Sequence, residues 1–349
     1  MESKKKKYCI CISILCIFML LCIGISASIG SSSVTVLDSF KIIFSKIPVL
    51  NKLIDTSDVK QVYEVIVWKV RLPRILQSSL VGGALAVVGC TFQAVFRNSL
   101  ADPHILGISS GAALGATLAI LCGITLNFFG IGIVSIFAFT GALLTVILVY
   151  HIGGLGGKIV VTNLLLTGTA ISTMLSSIIS LLMIYNREQL EKVYLWTLGS
   201  FSASNWSKVL FLAVVSLICV TVIFMFGRDL NIILTGDEAA SSLGIDTSRI
   251  KNILIIISAV LVSASVSVSG TIGFVGLVIP HCMRLIVGSD HKILLPFSYF
   301  GGASFMIICD TIARTIAQPT EIPVGVITAF FGAPYFVYLL YRNTKNKKF

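Results

Sequence analysis

Residues 75–96 read ILQSSLVGGALAVVGCTFQAVF, a run of 22 positions without a charged side chain. A helix crosses the hydrocarbon core of a bilayer with about 20 apolar residues, so this run predicts a membrane-spanning helix. The whole chain has the same character, because 56% of its residues are apolar and 12% are charged. An ordinary soluble domain has about 25% charged residues, so the composition excludes a soluble fold.

Comparable runs, bounded by charges or by Gly, Pro and Asn clusters, predict ten spans in the 349-residue chain. They lie at 8–29, 75–96, 104–124, 126–150, 159–185, 208–226, 250–268, 271–286, 293–313 and 322–341. We therefore expect an all-α integral membrane protein with a single transmembrane domain over 1–349. The run 271–286 is short and contains Pro280, which indicates a broken or partial helix inside a bundle.

The lysines and arginines predict the orientation. With the amino terminus in the cytoplasm, cytoplasmic segments hold 15 of the 26 cations and the short outer loops hold four, in agreement with the positive-inside rule. Both termini are then cytoplasmic, at the plasma membrane. The apolar run after Lys4–Lys7 is longer than the apolar core of a signal peptide, about 7 to 15 residues, which favours a retained helix. The other seven cations lie in segment 31–74, which we expect to be external.

Glycine-rich stretches indicate packing and turns. Gly107, Gly111 and Gly115 recur every four residues and predict a helix face that a neighbouring backbone can approach closely. GGLGGK at 153–158 lacks the spacing and the Ser or Thr of a phosphate-binding loop, so we interpret it as a flexible cytoplasmic turn.

The two halves of the chain show a weak internal repeat. LVGGALAVVG at 80–89 is similar to LVSASVSVSG at 261–270, and 101–116 is similar to 289–304. Such similarity is typical of many transporters, whose pathways form between structural repeats.

Nothing in the sequence indicates catalysis or metal binding. The four histidines do not pair with cysteines or carboxylates at ligand spacing, and the nine cysteines lie in apolar runs without a CxxC pair. The net charge of +11 follows from the cytoplasmic loops and does not require a nucleic-acid partner. We expect no catalytic residue, no metal site and no cofactor on this chain.

The stretch DLNIILTGDEAASSLGID, at 229–246, is too long for a tight connector and mixes apolar with acidic residues. It predicts short helices on the inner face. Gly236 precedes a first turn with Asp237 and Glu238, whose negative charges suit a helix amino terminus, and Gly244 fits the helix end. An amphipathic surface helix and a docking element for a cytoplasmic protein are both open interpretations.

Charged residues near the outer face also allow two interpretations. Asp310 and Arg314 stand one helical turn apart, where an ion pair lowers the cost of both charges in lipid. If Arg314 instead reaches the outer rim, it joins Arg71 and Arg74 as exposed positive charge. Exposed guanidinium groups suit the capture of a partner's carboxylates.

Five segments in a fixed order carry the most specific information. They are RLPR at 71–74, FRNSLADPHILGISSGAALGA at 96–116, GDEAASSLG at 236–244, SGTIGFVGLVIPHCMRLIVGSDHKILLP at 269–296 and DTIARTIAQPTEIPVGVITAFFGAPYF at 310–336. Together they resemble the membrane permease subunits of ATP-binding-cassette importers for iron-siderophore complexes, haem and vitamin B12. The resemblance covers nearly the whole chain from about residue 65, whereas the first 64 residues match only as one helix and an outer loop.

The resemblance implies a type II importer permease of ten helices that pairs with a second copy, or with a related permease, around the pathway. It implies a cytoplasmic ATPase dimer, which holds ATP and Mg and docks on loop 227–249. The matching positions of that coupling loop are Gly236, Asp237, Glu238, Ala239, Ala240 and Gly244. It also implies an extracytoplasmic substrate-binding protein whose carboxylates meet permease arginines, here Arg71, Arg74 and Arg314.

We therefore expect a transport subunit, not an enzyme, that imports a chelated metal. An iron(III)-siderophore is the favoured cargo, and haem and cobalamin are alternatives. An ion-coupled secondary transporter is a rival class, although it usually needs buried acids on its pathway and Asp310 is the one candidate. An integral membrane enzyme is a second rival, for which the sequence offers no nucleophile and base.

Overall fold

The structure is a computed structural model that describes residues 2–30, 34–46, 55, 58–124, 126–154 and 161–346. This part of the chain is almost entirely helical. Its α-helices are α1 (Glu2–Ser28), α2 (Val36–Ser45), α3 (Gln61–Val65), α4 (Leu72–Val95), α5 (Ile108–Leu121), α6 (Ile133–Gly153), α7 (Val161–Tyr185), α8 (Leu190–Thr197), α9 (Trp206–Met225), α10 (Gly227–Ile233), α11 (Asp237–Ser242), α12 (Thr247–Ser269), α13 (Val275–Val287), α14 (His291–Ala313) and α15 (Val324–Asn346). The remaining elements are a π-helix (Ile66–Arg71), 3₁₀ turns at Pro103–Leu106 and Arg187–Gln189, and an antiparallel pair of strands, β1 (Asn127–Phe128) and β2 (Ile131–Gly132).

In the described residues, seven helices are long and apolar enough to cross a membrane. They are Ile10–Ser28, Gln61–Val95, Ile133–Gly153, Thr162–Tyr185, Trp206–Met225, Thr247–Ser269 and His291–Ala313. Three shorter apolar helices, at Ile108–Leu121, Val275–Val287 and Val324–Leu339, overlap the other predicted spans. A multi-pass helical membrane protein is confirmed. The number ten is not, because α5 and α13 are shorter than the roughly 20 residues that a span needs, and the apolar part of α15 ends at Leu339.

The second span is longer than predicted. Helix Gln61–Val95 runs for 35 residues through α3, the π-helix and α4, which at about 1.5 Å per residue exceeds the thickness of a bilayer. The predicted external segment 31–74 is therefore not a loop throughout, since it contains α2 and the start of this helix. The sequence from 61 to 72 has no Gly or Pro to interrupt a helix. Within the segment, 31–33, 47–54 and 56–57 lie outside the described residues.

The third predicted span is interrupted at its start. Gly107 ends a 3₁₀ turn with φ of +75°, so the helix begins at Ile108 and Gly107 precedes the helix face on which it was predicted. Gly111 and Gly115 do lie on α5, where a Cβ atom on either would overlap residues of α6. In the stretch 153–158, the predicted turn at 155–158 lies outside the described residues.

Helix α4 forms the centre of the bundle, because 83% of an apolar 18-residue stretch of its span is buried and it packs against α9, α12, α13 and α14. Paired glycines allow the closest approaches. A Cβ atom on Gly82 would overlap the carbonyl oxygen of Gly302, and one on Gly89 would overlap that of Gly276. In contrast, the corresponding 18-residue stretches of α1 and α7 are 17% and 22% buried. Their exposed apolar side chains suit contact with lipid or with another membrane subunit.

Candidate functional site

Charged residues gather near the two ends of α4. The arginine cluster, near the start of α4, consists of Arg71, Arg74, Asp310, Arg314 and Glu321. The loop cluster, just past the end of α4, consists of Arg97, Asp237 and Lys251. These clusters contain the arginines and one of the loop acids that the sequence singled out, so their contacts decide which of those residues face a partner.

Arg74 binds two acids in the arginine cluster. Its Nε lies 3.0 Å from each carboxylate oxygen of Asp310, and its Nη2 lies 2.9 Å from Asp310 Oδ1. Its Nη1 donates to both carboxylate oxygens of Glu321, at 3.0 and 2.8 Å. The Asp310 side chain is 1% exposed and that of Glu321 is 44% exposed. Arg74 therefore bridges a buried acid on α14 and a surface acid before α15.

The other two arginines cap the carboxyl end of α1. Arg71 donates from Nη1 to the carbonyl oxygens of Ala27 and Ser28, at 2.7 and 2.9 Å. Arg314 donates to the carbonyl oxygens of Ser26 and Ile29 and to the Ser26 hydroxyl. The last turn of a helix has carbonyls without helical partners and a partial negative charge, which cations stabilise. Two guanidinium groups thus fix the end of α1 to α14 and to the π-helix.

These contacts contradict the second of the two interpretations of the sequence, in which the three arginines are exposed. Arg71, Arg74 and Arg314 are 5%, 8% and 8% exposed, and each binds groups of its own chain. The π-helix adds one residue to a turn of the long helix. Buried charge in a membrane protein must be paired, and here two acids and the end of α1 provide the partners. The first interpretation, an ion pair between Asp310 and Arg314, agrees with the distance of 3.8 Å between Arg314 Nε and Asp310 Oδ2.

The loop cluster ties α11 to two other elements. Asp237, the first residue of α11, has Oδ2 2.6 Å from Arg97 Nη2 and Oδ1 2.7 Å from Lys251 Nζ. Arg97 follows α4 with φ of +48°, and Lys251 lies in the first turns of α12. The pKa of the Asp237 carboxyl is below its usual value. Partial burial raises this pKa, but the hydrogen bonds and charges of Lys251 and Arg97 lower it by more.

The rest of the predicted coupling loop has the expected local structure. Gly236 precedes α11 with φ of +117°, and Gly244 follows it with φ of +78°, conformations that favour glycine. Glu238 and Ala239 are exposed, whereas Ala240 is fully buried. The two acids of the first turn therefore differ, because Asp237 binds its own chain and Glu238 faces outward.

Two irregular segments, at 103–107 and 271–274, meet inside the bundle. His104, in the 3₁₀ turn before α5, has Nε2 2.8 Å from the carbonyl oxygen of Ile272, and its Nδ1 accepts from the Ser109 hydroxyl. Nε2 must therefore carry the proton. Phe274, the residue before α13, has φ of +69°. Irregular backbone at membrane depth is tolerated where protein covers it and satisfies its polar groups, and His104 does so here.

Comparisons with known proteins agree with this architecture. The model of the FecCD transport family matches residues 17–342. The chain belongs to the FecCD transport family. A cobalamin import system permease protein of Halobacterium salinarum is 42% identical over 282 residues, covering 81% of this chain and 75% of the relative. A hemin transport system permease protein of Yersinia pestis is 40% identical over 287 residues, covering 80% and 85%. An Fe(3+)-citrate import system permease protein of Bacillus subtilis is 36% identical over 326 residues, covering 93% and 92%.

A solved structure extends the FecCD match to three dimensions. It shows a transporter assigned to the metal-chelate ABC type, in an inward-facing conformation, with 33% identity and a TM-score of 0.80. It covers 95% of this chain and 98% of the other. The chain is thus an ABC importer permease of the FecCD family and a transport subunit of a membrane complex.

Sequence reasoning did not assign several residues of these clusters to a site. Arg97, Lys251 and Glu321 bind the acids or arginines that were singled out, yet Arg74 and Glu321 are 247 positions apart. Only the fold brings such partners together. The sequence therefore identifies which arginines can bind a carboxylate, whereas the packing of this FecCD permease determines whether they are available to another protein.

Proposed function

We propose that this FecCD permease is the membrane half of an ATP-driven importer that carries an iron(III)-siderophore. Family membership over residues 17–342 carries this proposal. The named relatives support a chelated metal, since they include permeases for cobalamin, hemin and Fe(3+)-citrate. Cobalamin is the second candidate, because a cobalamin permease is 42% identical to this chain.

Uptake into iron-starved cells tests the cargo. Cells with and without the gene are compared for labelled ferric siderophores, haem and cobalamin. We expect loss of ferric siderophore uptake alone, restored by the intact chain. Loss of cobalamin uptake alone would replace the proposed cargo by the second candidate. Uptake that stops with a protonophore while ATP stays high would instead indicate a secondary transporter, and turnover by the purified chain alone would indicate an enzyme.

We assign the contact with the cytoplasmic ATPase dimer to Glu238 and the exposed part of α11, with both chain termini in the cytoplasm. ATP and Mg bind on that partner. Glu238 is exposed in the first turn of a helix bounded by Gly236 and Gly244, where a carboxylate is available to a partner's cation. Asp237 connects α11 to the end of α4 through Arg97 and to α12 through Lys251. A movement of α11 caused by the ATPase would therefore be transmitted to both membrane helices.

Charge reversal tests this assignment. Glu238→Lys should reduce co-purification of the ATPase and ATP-driven uptake, while Glu188→Lys, an exposed acid beyond α7, serves as the matched control. Unchanged co-purification and uptake in Glu238→Lys would refute the ATPase contact. Protease digestion of sealed, oriented vesicles tests the orientation, because cleavage after α15 should occur only from the cytoplasmic side.

We also propose that an extracytoplasmic substrate-binding protein docks at the arginine cluster. Since Arg71, Arg74 and Arg314 already have partners, docking carboxylates would act on the exposed edge of the cluster or replace those partners. Arg71→Gln removes one charge and keeps hydrogen-bond donors for the end of α1. Folded Arg71→Gln should bind the docking protein more weakly at low salt, and an unaltered affinity would argue against docking here.

We propose finally that two permease subunits pair around the transport pathway. Helix α7 buries little of its apolar surface within this chain, which suits contact with a second copy of the permease or a related permease. In a variant whose nine cysteines are replaced by serine or alanine, cross-linking of one cysteine introduced on the exposed face of α7, at Leu166 or Ile184, should give a dimer in membranes. Cross-links to a different chain in place of a homodimer would indicate the related permease.

A further inference from the structure

We infer that this chain has an anion-binding cavity, separate from both charged clusters, between α6, α8, α9 and the end of α12. The cavity has a volume of about 430 Å³, and the ammonium-bearing side chains of Lys192 and Lys208 line it. Its other polar walls come from serines that include Ser135 and Ser202, and none of the described residues that line it is acidic. A carboxylate or phosphate group is the ligand that this lining favours.

Lys208 gives the first argument. Its Nζ donates to the carbonyl oxygen of Ala203, at 2.8 Å. An ammonium group has three N–H donors, and neither Lys192 nor Lys208 forms an ion pair with any described residue. A partly buried cation without a counter-ion is unfavourable unless something else compensates its charge. An anion in the cavity would accept the remaining N–H groups of Lys208.

The first turn of α6 gives the second argument. Gly132, Val134 and Ser135 line the cavity, and no side chain caps this end of the 21-residue helix. The N–H of Ile133 donates to the carbonyl oxygen of Leu126, at 3.0 Å. The N–H groups that follow it in the first turn, together with the positive end of the helix dipole, favour an anion at this position. Ser135 is 7% exposed, and its hydroxyl has no hydrogen-bond partner among the described residues. It can donate to the same anion as Lys208.

The apolar walls strengthen these interactions. Ile120, Leu195 and Trp196 line the cavity beside the lysines, and charges attract more strongly where side chains exclude water. The charge pattern of the sequence places Lys192 and Lys208 in outer loops. An anion could reach this side of the membrane as a free carboxylate or phosphate in solution, or as the phosphate of an anionic lipid headgroup.

Titration of the full chain in lipid nanodiscs tests the inference. In discs of phosphatidylcholine at low salt, citrate and inorganic phosphate are titrated calorimetrically against wild type, Lys208→Met, Lys208→Arg and Lys60→Met. Lys60 is an exposed lysine outside the cavity and serves as the control. We expect Lys208→Met to weaken binding about tenfold or more, as for the loss of one charge-assisted hydrogen bond. Lys208→Arg and Lys60→Met should bind as wild type does.

A second series of discs distinguishes the two sources of the anion. If phosphatidylglycerol raises the thermal stability of wild type but not of Lys208→Met, and no soluble anion binds, the occupant is a lipid headgroup. Binding of citrate or phosphate in phosphatidylcholine discs identifies a soluble anion. Equal behaviour of wild type and Lys208→Met in both series would overturn the anion site. Ser135→Ala, which removes one oxygen from the wall, provides a milder variant should Lys208→Met fold poorly.

Discussion

Asp310 and Glu321 bind the same guanidinium group in different surroundings, and this difference sets the cost of removing each. Asp310→Asn and Glu321→Gln keep the size of each side chain and remove one negative charge. The Asp310 side chain is 1% exposed and that of Glu321 is 44% exposed. Removing one partner of a buried pair costs about 3 to 5 kcal/mol, whereas an exposed ion pair contributes about 0 to 1 kcal/mol.

We therefore expect Asp310→Asn to lose about 3 kcal/mol more stability than Glu321→Gln, which is roughly a hundredfold in the folding equilibrium. Arg314, which is 3.8 Å from Asp310, loses a neighbouring charge in the same variant. Unfolding in mixed micelles, with increasing SDS and tryptophan fluorescence as the signal, measures both variants against wild type.

A double-mutant cycle supplies the control. Arg74→Leu with Asp310→Leu removes both charges of the buried pair, so its loss of stability should be smaller than the sum of the two single changes. Equal losses for Asp310→Asn and Glu321→Gln would refute the reasoning, because burial would then not determine the contribution of each acid.

The other predictions concern α11 and the glycine contacts. Asp237→Asn should keep the ATPase bound yet lower cargo transported per ATP, with Asp237→Glu restoring the ratio; a normal ratio in Asp237→Asn contradicts the proposed transmission. The pKa of Asp237 is lowered in the folded chain. Its charged carboxylate therefore contributes fully to the free energy of unfolding above a pH of about 4, and this contribution is lost as pH falls through the lowered pKa. The stability difference between wild type and Asp237→Asn should thus be constant from about pH 5 to 8, and a decline across that range would place the pKa elsewhere. Gly89→Ala should cost at least about 1 to 3 kcal/mol by overpacking against Gly276. Gly273→Ala, whose Cβ would meet no atom within 4 Å, should unfold in SDS as wild type does.

Sequence reasoning located the helices well where apolar runs are long and uninterrupted. The predicted run 208–226 corresponds to Trp206–Met225, and 250–268 to Thr247–Ser269. It failed where backbone conformation decides, because Gly107 fits a helical face by spacing and yet adopts a positive φ. Glycine has no Cβ atom and adopts either conformation readily, so its identity alone does not indicate which one occurs.

The short helix α11 was predictable for a local reason. Gly236, Asp237 and Glu238 form a helix start that needs no distant contact, and Gly244 ends it in a conformation that glycine favours. The contacts of Asp237 were not predictable, since Arg97 lies 140 positions away in the chain. Local sequence therefore identified α11. Only the tertiary structure shows that Asp237 binds its own chain and that Glu238 is exposed.

The arginine cluster also explains the one segment that departed from the positive-inside pattern. Segment 31–74 contains seven cations, an excess for a segment on the outer face. Two of them, Arg71 and Arg74, are buried against α1, Asp310 and Glu321, and Lys46 forms an ion pair with Glu64. Cations that are neutralised within the fold are not free loop charges. Discounting these three leaves four cations in the segment, so its departure from the predicted orientation is smaller, and the orientation itself stays a prediction.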